Sequence, residues 1–232
     1  MTGGKTHLSE TNLARLMIRI LTPNDTFVDV GAHYGYFSLL ASQLVGKNGH
    51  VLAFEASSKT FSILKKNQVD VSNFIACNYA VSNSDELLTF YEFPNLYSEY
   101  NSFDIDQYKN ELWFEGNRPN EIKINSVRLD DYFTEYKLAS AMIKIDVAGA
   151  EYNVDSGMAN YLLSNSPLVI MEYLNDERGN IAHKKAEAFM TDLGYAAHQV
   201  GSNGELLHLE NVSQYLDESQ IDSDNIVFKK IN

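Results

Sequence analysis

The sequence predicts an α/β protein of the Rossmann-like kind, a mostly parallel seven-stranded sheet with helices on both faces and one inserted region. Three observations predict it. Short apolar runs alternate with helical stripes through the first third of the chain. A glycine-containing turn follows the first apolar run. Acidic residues stand at the ends of several of the later runs.

Leu13, Leu16, Met17, Ile20 and Leu21 recur at i, i+3, i+4, i+7 and i+8, the stripe of an amphipathic N-terminal helix within residues 1–24. Thr22-Pro23-Asn24-Asp25 ends it. Phe27-Val28-Asp29-Val30-Gly31 reads as a buried strand, and Phe37, Leu40, Ala41, Leu44 and Val45 form a second helical stripe stopped by Gly46 and Gly49. Val51–Glu55 is a second strand. Ser57 or Ser58 can cap a helix reaching about Val71. Phe74–Cys77 is a third strand, so the order implies parallel strands with right-handed crossovers. The alternation then breaks. Residues 87–93 and 122–129 read as strands flanking an insertion, residues 94–120, rich in Tyr, Asn and acids. Residues 141–147 and 167–173 are further strands, ending near Asp146 and Glu172. A helix presents Val154, Met158, Tyr161 and Leu162, and another presents Ala182, Ala186, Phe189, Met190 and Leu193 before Gly194. Residues 195–200, 206–209 and 226–231 are strand-like. No repeat or linker is visible, so one domain is expected.

A chain of 232 residues that is 44% hydrophobic can bury a sizeable core. Mean hydropathy is −0.26, and no long uncharged apolar run suggests a spanning helix. The polar opening Met1–Lys5 lacks the apolar region of a signal peptide, which points to the cytoplasm. The net charge of −13 disfavours a nucleic-acid partner, because a phosphate backbone needs a basic face. The lone Cys77 cannot form an internal disulfide and reads as a buried thiol. His7, His50, His183, His198 and His208 show no zinc spacing. A homodimer is left open.

Asp29-Val30-Gly31-Ala32-His33-Tyr34-Gly35 lies where the first strand meets its helix. In an open parallel sheet, ligands bind beyond the carboxyl ends of the strands, and glycine lets the chain turn sharply against a ligand. A dinucleotide fingerprint would read G-x-G-x-x-G, whereas this turn reads G-x-x-x-G behind an acidic strand residue. Asp29 suits a cationic ligand better than a pyrophosphate. S-adenosylmethionine (SAM) carries an ammonium and a sulfonium. Glu55, followed by Ala56, ends the second strand where a carboxylate can accept both ribose hydroxyls. That feature serves NAD and SAM alike. Ala80, Val81 and Asn83, after the third strand, can flank the adenine. Asp146 completes the acidic cofactor edge.

Asp146 and Glu172 end neighbouring strands and admit two readings: one accepts a substrate proton, or both hold Mg²⁺. Glu151 falls in a first helical turn, where a carboxylate also favours the macrodipole. His33 can move a proton near neutral pH, or serve as a hydrogen-bonded structural residue. The aromatics Tyr97, Tyr100, Phe103, Tyr108, Trp113 and Phe114 suit stacking on a sugar or other ring beneath a substrate lid, or packing of the insertion on the core.

From Phe27 to Phe228 the chain resembles the FkbM family of SAM-dependent methyltransferases. The markers are residues 28–35, Phe54-Glu55, Ala80-Val81-Ser82, Val127–Tyr132 and Lys144–Glu151, in that order and spacing. The resemblance implies the class I methyltransferase fold, SAM as methyl donor, and O-methylation of a hydroxyl on a sugar, glycan or natural product. A peptide acceptor, or a catalytically weakened SAM-binding variant, is the alternative. Two positions depart from the family pattern: His33 stands where Asn is usual, and Ala148 stands where Glu is usual.

Overall fold

The structure is a computed structural model that describes residues 7–136, 139–178 and 180–231; the polar opening Met1–Lys5 lies outside the described residues. The elements in chain order are α1 (His7–Ile20), β1 (Thr26–Val30), α2 (Tyr36–Val45), β2 (His50–Phe54), α3 (Ser58–Asn67), β3 (Phe74–Cys77), β4 (Ala80–Val81), β5 (Leu87–Glu92), β6 (Asn120–Val127), α4 (Leu129–Tyr136), β7 (Met142–Ile145), α5 (Glu151–Ser156), α6 (Ala159–Asn165), β8 (Leu168–Leu174), α7 (Ile181–Asp192), β9 (Tyr195–Val200), β10 (Leu206–His208), α8 (Val212–Ser219) and β11 (Ser223–Lys230).

The main sheet has the order β10-β9-β11-β8-β7-β1-β2-β3. Five strands, β3, β2, β1, β7 and β8, run parallel, and β11 lies antiparallel between β8 and β9. The sequence predicts seven strands here and the sheet has eight, because Leu206–His208 folds back on β9 as a short edge strand. The last strand does not pair with β10 as a simple terminal hairpin would; β11 inserts instead between β8 and β9.

Strand side chains alternate between two apolar layers, as a pleat of period two requires. Val28, Val30, Leu52, Phe54, Ile143, Ile145, Val169 and Met171 pack one way, with buried residues of α4, α6, α7 and α8. Phe27, Val51, Ala53, Met142 and Ile170 pack the other way, with α1, α2 and Leu64 of α3. Ser57 caps α3, its hydroxyl accepting from the Thr60 amide at 3.2 Å.

Two helices expected as one are separate. The run through Val154, Met158 and Leu162 breaks after Gly157, where Met158 leaves helical geometry and the chain passes so close to Ser82 that a Cβ on Gly157 would lie 2.1 Å from its carbonyl oxygen. After the break the Asp130 carboxylate accepts from the amides of Asn160 and Tyr161, capping α6. Asp130 belongs to α4, a helix not predicted although Leu129, Tyr132, Phe133 and Tyr136 have helical spacing. α8 is likewise unpredicted; Asn211 caps it, accepting from the Gln214 amide at 2.9 Å.

The insertion lies between β5 and β6, which pair antiparallel and join β4 in a three-stranded sheet separate from the main one. Its own core is aromatic: Phe93, Tyr108 and Phe114 are buried, with Tyr97, Tyr100 and Trp113 packed against them. Tyr100 stacks on Trp113 at 4.7 Å between centroids.

Candidate functional site

Strand register builds the site. Val30 pairs with Phe54 on one side and Ile145 on the other, and Ile145 pairs with Met171. The residues that follow, Glu55, Gly31, Asp146 and Glu172, therefore form one row across the carboxyl edge of β2, β1, β7 and β8. Asp29 lies two positions below that row, level with Ala53 and Lys144.

The turn after β1 is built from residues with positive φ. Gly31 (φ +78°) must be glycine, since a Cβ there would meet the Asp146 carbonyl oxygen at 1.9 Å. His33 (φ +51°) and Gly35 (φ +86°) also take left-handed conformations, and a Cβ on Gly35 would lie 2.6 Å from Leu64. The Gly31 and Ala32 amides donate to the Phe54 carbonyl, which fixes the turn against the end of β2. The His33 amide donates to Glu55 Oε2 at 2.8 Å, and the Ser57 amide to Oε1 at 2.9 Å.

Glu55 is 6% exposed. Burial raises its pKa to about 8, the two amides offset part of that rise, and the negative charges of Asp29 and Asp146 add to it. These couplings place the three carboxylates of the expected cofactor edge together. Each carboxylate oxygen has two lone pairs, so Glu55 keeps acceptor capacity beyond the two amides.

Asp29 differs in character. It is 1% exposed, it accepts from the Ser38 hydroxyl at 2.7 Å, and the Lys144 ammonium lies 3.9 Å from its other oxygen. Lys144 also reaches Asp146 at 3.2 Å and lies over the Phe37 ring. The sequence analysis did not single out this buried cation as a partner; its position two residues before Asp146 in a parallel strand was the available signal.

The same ammonium bears on the Mg²⁺ reading of Asp146 and Glu172, since it stands 3.2 Å from Asp146. Among the described residues, no group of three or more His, Cys, Asp or Glu side chains converges as a metal set. Asp146 has its counter-charge from Lys144.

Beyond the row, Val81, Asn83, Leu88, Phe103, Ala150 and Asn153 are among the residues lining a depression of about 300 Å³. Apolar walls beside an amide suit a flat base. Val81 and Asn83, expected from the sequence to flank an adenine, both line this depression. Ala80 does not line the depression; it is buried with Phe90 and Ile124, and Ala56 packs on the same small cluster.

The insertion covers this edge. Ser98 lies 2.9 Å from the His33 ring Nε2 and 3.1 Å from the Tyr34 hydroxyl. Glu92, where the insertion begins, accepts from the Ser57 hydroxyl at 2.8 Å. Tyr108 feels the charges of Glu172 and Glu151, although burial is the main cause of its raised pKa. Cys77 is buried, as expected, and burial raises its thiol pKa.

A parallel sheet in this order, with a positive-φ glycine turn after its first strand and a buried carboxylate following its second, is the architecture of class I SAM-dependent methyltransferases. The methyltransferase FkbM domain matches residues 29–197, and the chain belongs to that family. Solved structures agree in fold. A methyltransferase FkbM from Methylobacillus flagellatus superposes with a TM-score of 0.51 at 12% identity, over 88% of this chain; this chain spans 43% of that structure's length. Fibrillarin from Aeropyrum pernix, with natively bound S-adenosyl-L-methionine, gives 0.53 at 10% identity over 97% of this chain and 76% of that one. An rRNA methylase from Streptococcus thermophilus gives 0.53 at 8% identity over 99% of this chain and 100% of that one. No curated protein matches the sequence. Among the described residues, no helix is long and apolar enough to cross a membrane.

Proposed function

We propose that this protein transfers a methyl group from SAM to a hydroxyl of a sugar, glycan or related natural product, in one domain whose insertion closes over the reacting edge. The observation that carries the reading is the row Glu55, Gly31 and Asp146 on three adjacent parallel strands, beside the depression at Val81 and Asn83. In this reading Glu55 accepts the ribose hydroxyls, and the His33 amide, bonded to the same carboxylate, keeps it in place. The Gly31–Gly35 backbone and Asp146 face the cationic end of the donor, with Asp29 beneath them. Lys144 keeps this edge from becoming an unbalanced cluster of anions.

When bound, SAM supplies a methyl group activated by a sulfonium. The chain's contribution is alignment, which can supply about 7–11 kcal/mol of a barrier when reactants are held in near-attack geometry. Asp146 and Glu172 flank the acceptor side of the row, and His33, tied to Ser98, joins the glycine turn to the insertion. The preference for a hydroxyl acceptor rests on the family resemblance. The preference against nucleic acid rests on the net charge of −13. The rRNA methylase likeness, at 8% identity, bears on the fold alone.

Incubation with methyl-labelled SAM and a panel of monosaccharides, nucleotide sugars, phenols, short peptides and RNA tests the proposal. Label in an alkali-stable ether of a sugar or phenol is the expected result. Label in peptide or RNA alone would replace the acceptor class, and SAM binding without transfer to any acceptor would support the weakened variant.

A further inference from the structure

A second depression, of about 380 Å³, opens beside the row, lined among others by Ala148, Gly149, Tyr152, Leu174, His183 and Lys185. It lies between the loop after β7, the end of β8 and the start of α7. Asn153 lines both depressions, so the second adjoins the proposed adenine side.

His183, which lines it, belongs to a group of buried polar side chains that lie behind that lining. His183, Glu151 and Asp155 are 2%, 1% and 0% exposed. The His183 Nε2 lies 3.5 Å from Glu151 Oε1, which also accepts from the Gly149 amide at 3.1 Å. His183 Nδ1, Glu151 Oε2 and both Asp155 carboxylate oxygens have no hydrogen-bond partner. Buried polar groups in folded proteins are paired with few exceptions, and an exception calls for an explanation. A purely structural histidine would have both ring nitrogens satisfied. Here one nitrogen is turned to a carboxylate and the other is unspent, in a ring that lines an open depression.

We propose that His183 is the general base for the acceptor hydroxyl, with Glu151 as the positioning residue that orients its ring. This rests on the methyltransferase reading above and names the acceptor side of that site. Proton balance is simple. Nδ1 is closed to solvent beside the depression, so a turn of the ring precedes the step; the acceptor O–H proton then passes to Nδ1 as the oxygen forms its bond to the methyl carbon. The electron pair of the broken sulfur–carbon bond stays on sulfur, and imidazolium later releases the proton to solvent. Glu151 stabilises the imidazolium, the role a buried carboxylate plays beside a catalytic histidine.

The surroundings support this assignment. Burial alone would lower the His183 pKa, but Glu151, helped by Glu172 and Asp146, leaves it raised. The charged and titratable groups facing it are Glu151 and Asp155 from α5, Glu172 and Tyr173 from β8, and Asp146 from the end of β7, with Lys185 on its own helix. Burial, then the neighbouring Glu151, raises the Asp155 pKa well above its ordinary value, which disfavours its charged form. The alternatives along the row are already engaged, Asp146 by Lys144 and the His33 ring by Ser98.

The test uses the full chain with ring-labelled histidine and compares wild type, His183→Gln and Glu151→Gln. NMR follows the His183 titration, calorimetry follows SAM affinity, and labelled transfer to the panel's monosaccharides and phenols follows kcat against pH. The assignment predicts that His183→Gln lowers kcat by roughly 10²–10⁴-fold with SAM affinity unchanged, and removes the acidic limb of the pH profile. Glu151→Gln should lower the His183 pKa by NMR and move that limb by the same amount. Full turnover in His183→Gln, an acidic limb that survives it, or a His183 pKa indifferent to Glu151→Gln would each overturn the base. Wild type that fails to bind SAM, or that binds it and methylates no hydroxyl, would instead overturn the reading on which the base depends.

Discussion

The two sides of the site balance buried charge differently: a lysine ammonium stands by the acids of one and a histidine ring by those of the other. On the cofactor side, Asp29 lies beneath the glycine turn with Ser38 on one oxygen and Lys144 near the other, and Glu55 is held by two backbone amides. On the acceptor side, between α5 and α7, Glu151, Asp155 and His183 are as deeply buried, yet each keeps a polar atom without a hydrogen-bond partner. A paired buried charge mostly holds a shape. A buried polar atom left without a partner costs stability and is kept where chemistry uses it. The difference separates a preformed cradle from a group awaiting a substrate.

The largest effect should come from breaking the satisfied side. Lys144→Met leaves Asp29 buried without its cation, and removing one partner of a buried pair costs about 3–5 kcal/mol. Denaturant melts should show that loss, and adding Asp29→Asn should recover much of it. A Lys144→Met protein as stable as wild type would mean that the cradle is not held by this pair.

A smaller and opposite effect is expected across the site. Because the Asp155 pKa is raised in the folded state, its contribution to stability is fully present below the unfolded carboxylate pKa and declines as pH rises toward the folded value. Asp155→Asn removes that decline, so its stability relative to wild type should improve from pH 5 to pH 8. Melts across that range check the sign, and a variant that loses ground as pH rises would show that Asp155 is charged and paired.

The smallest effect concerns the cover. Ser98→Ala removes the hydroxyl shared by His33 and Tyr34. A neutral hydrogen bond contributes about 0.5–1.5 kcal/mol. Stopped-flow measurement should find faster SAM dissociation with little change in melting temperature. An unchanged dissociation rate would confine the insertion to a packing role.

The contrast also explains what the sequence revealed. The cofactor side is local: Asp29, Gly31 and Gly35 fall within seven residues, and Glu55 and Asp146 each end an apolar run whose parallel pairing brings them level. Short apolar strands and glycine turns are legible because period and punctuation encode them. His183 meets Glu151 only through the packing of α7 on α5, so neither residue advertises the other in sequence. The break after Gly157 falls beside a close approach of Ser82, a contact that periodicity cannot register. α4 was the reverse case, a helical stripe obscured by its acidic first turn, Asp130 and Asp131.

The most direct measurement is SAM affinity by titration calorimetry for wild type and Glu55→Gln between pH 6 and 9. Burial holds the Glu55 pKa at about 8, so wild-type affinity should strengthen relative to the variant as pH rises toward that value. Hydrogen bonds to a charged group contribute about 1.5–3 kcal/mol, so at pH 8 Glu55→Gln should bind roughly 10–100-fold more weakly. Equal affinities at every pH, or a wild type that takes up NAD and ignores SAM, would contradict the account.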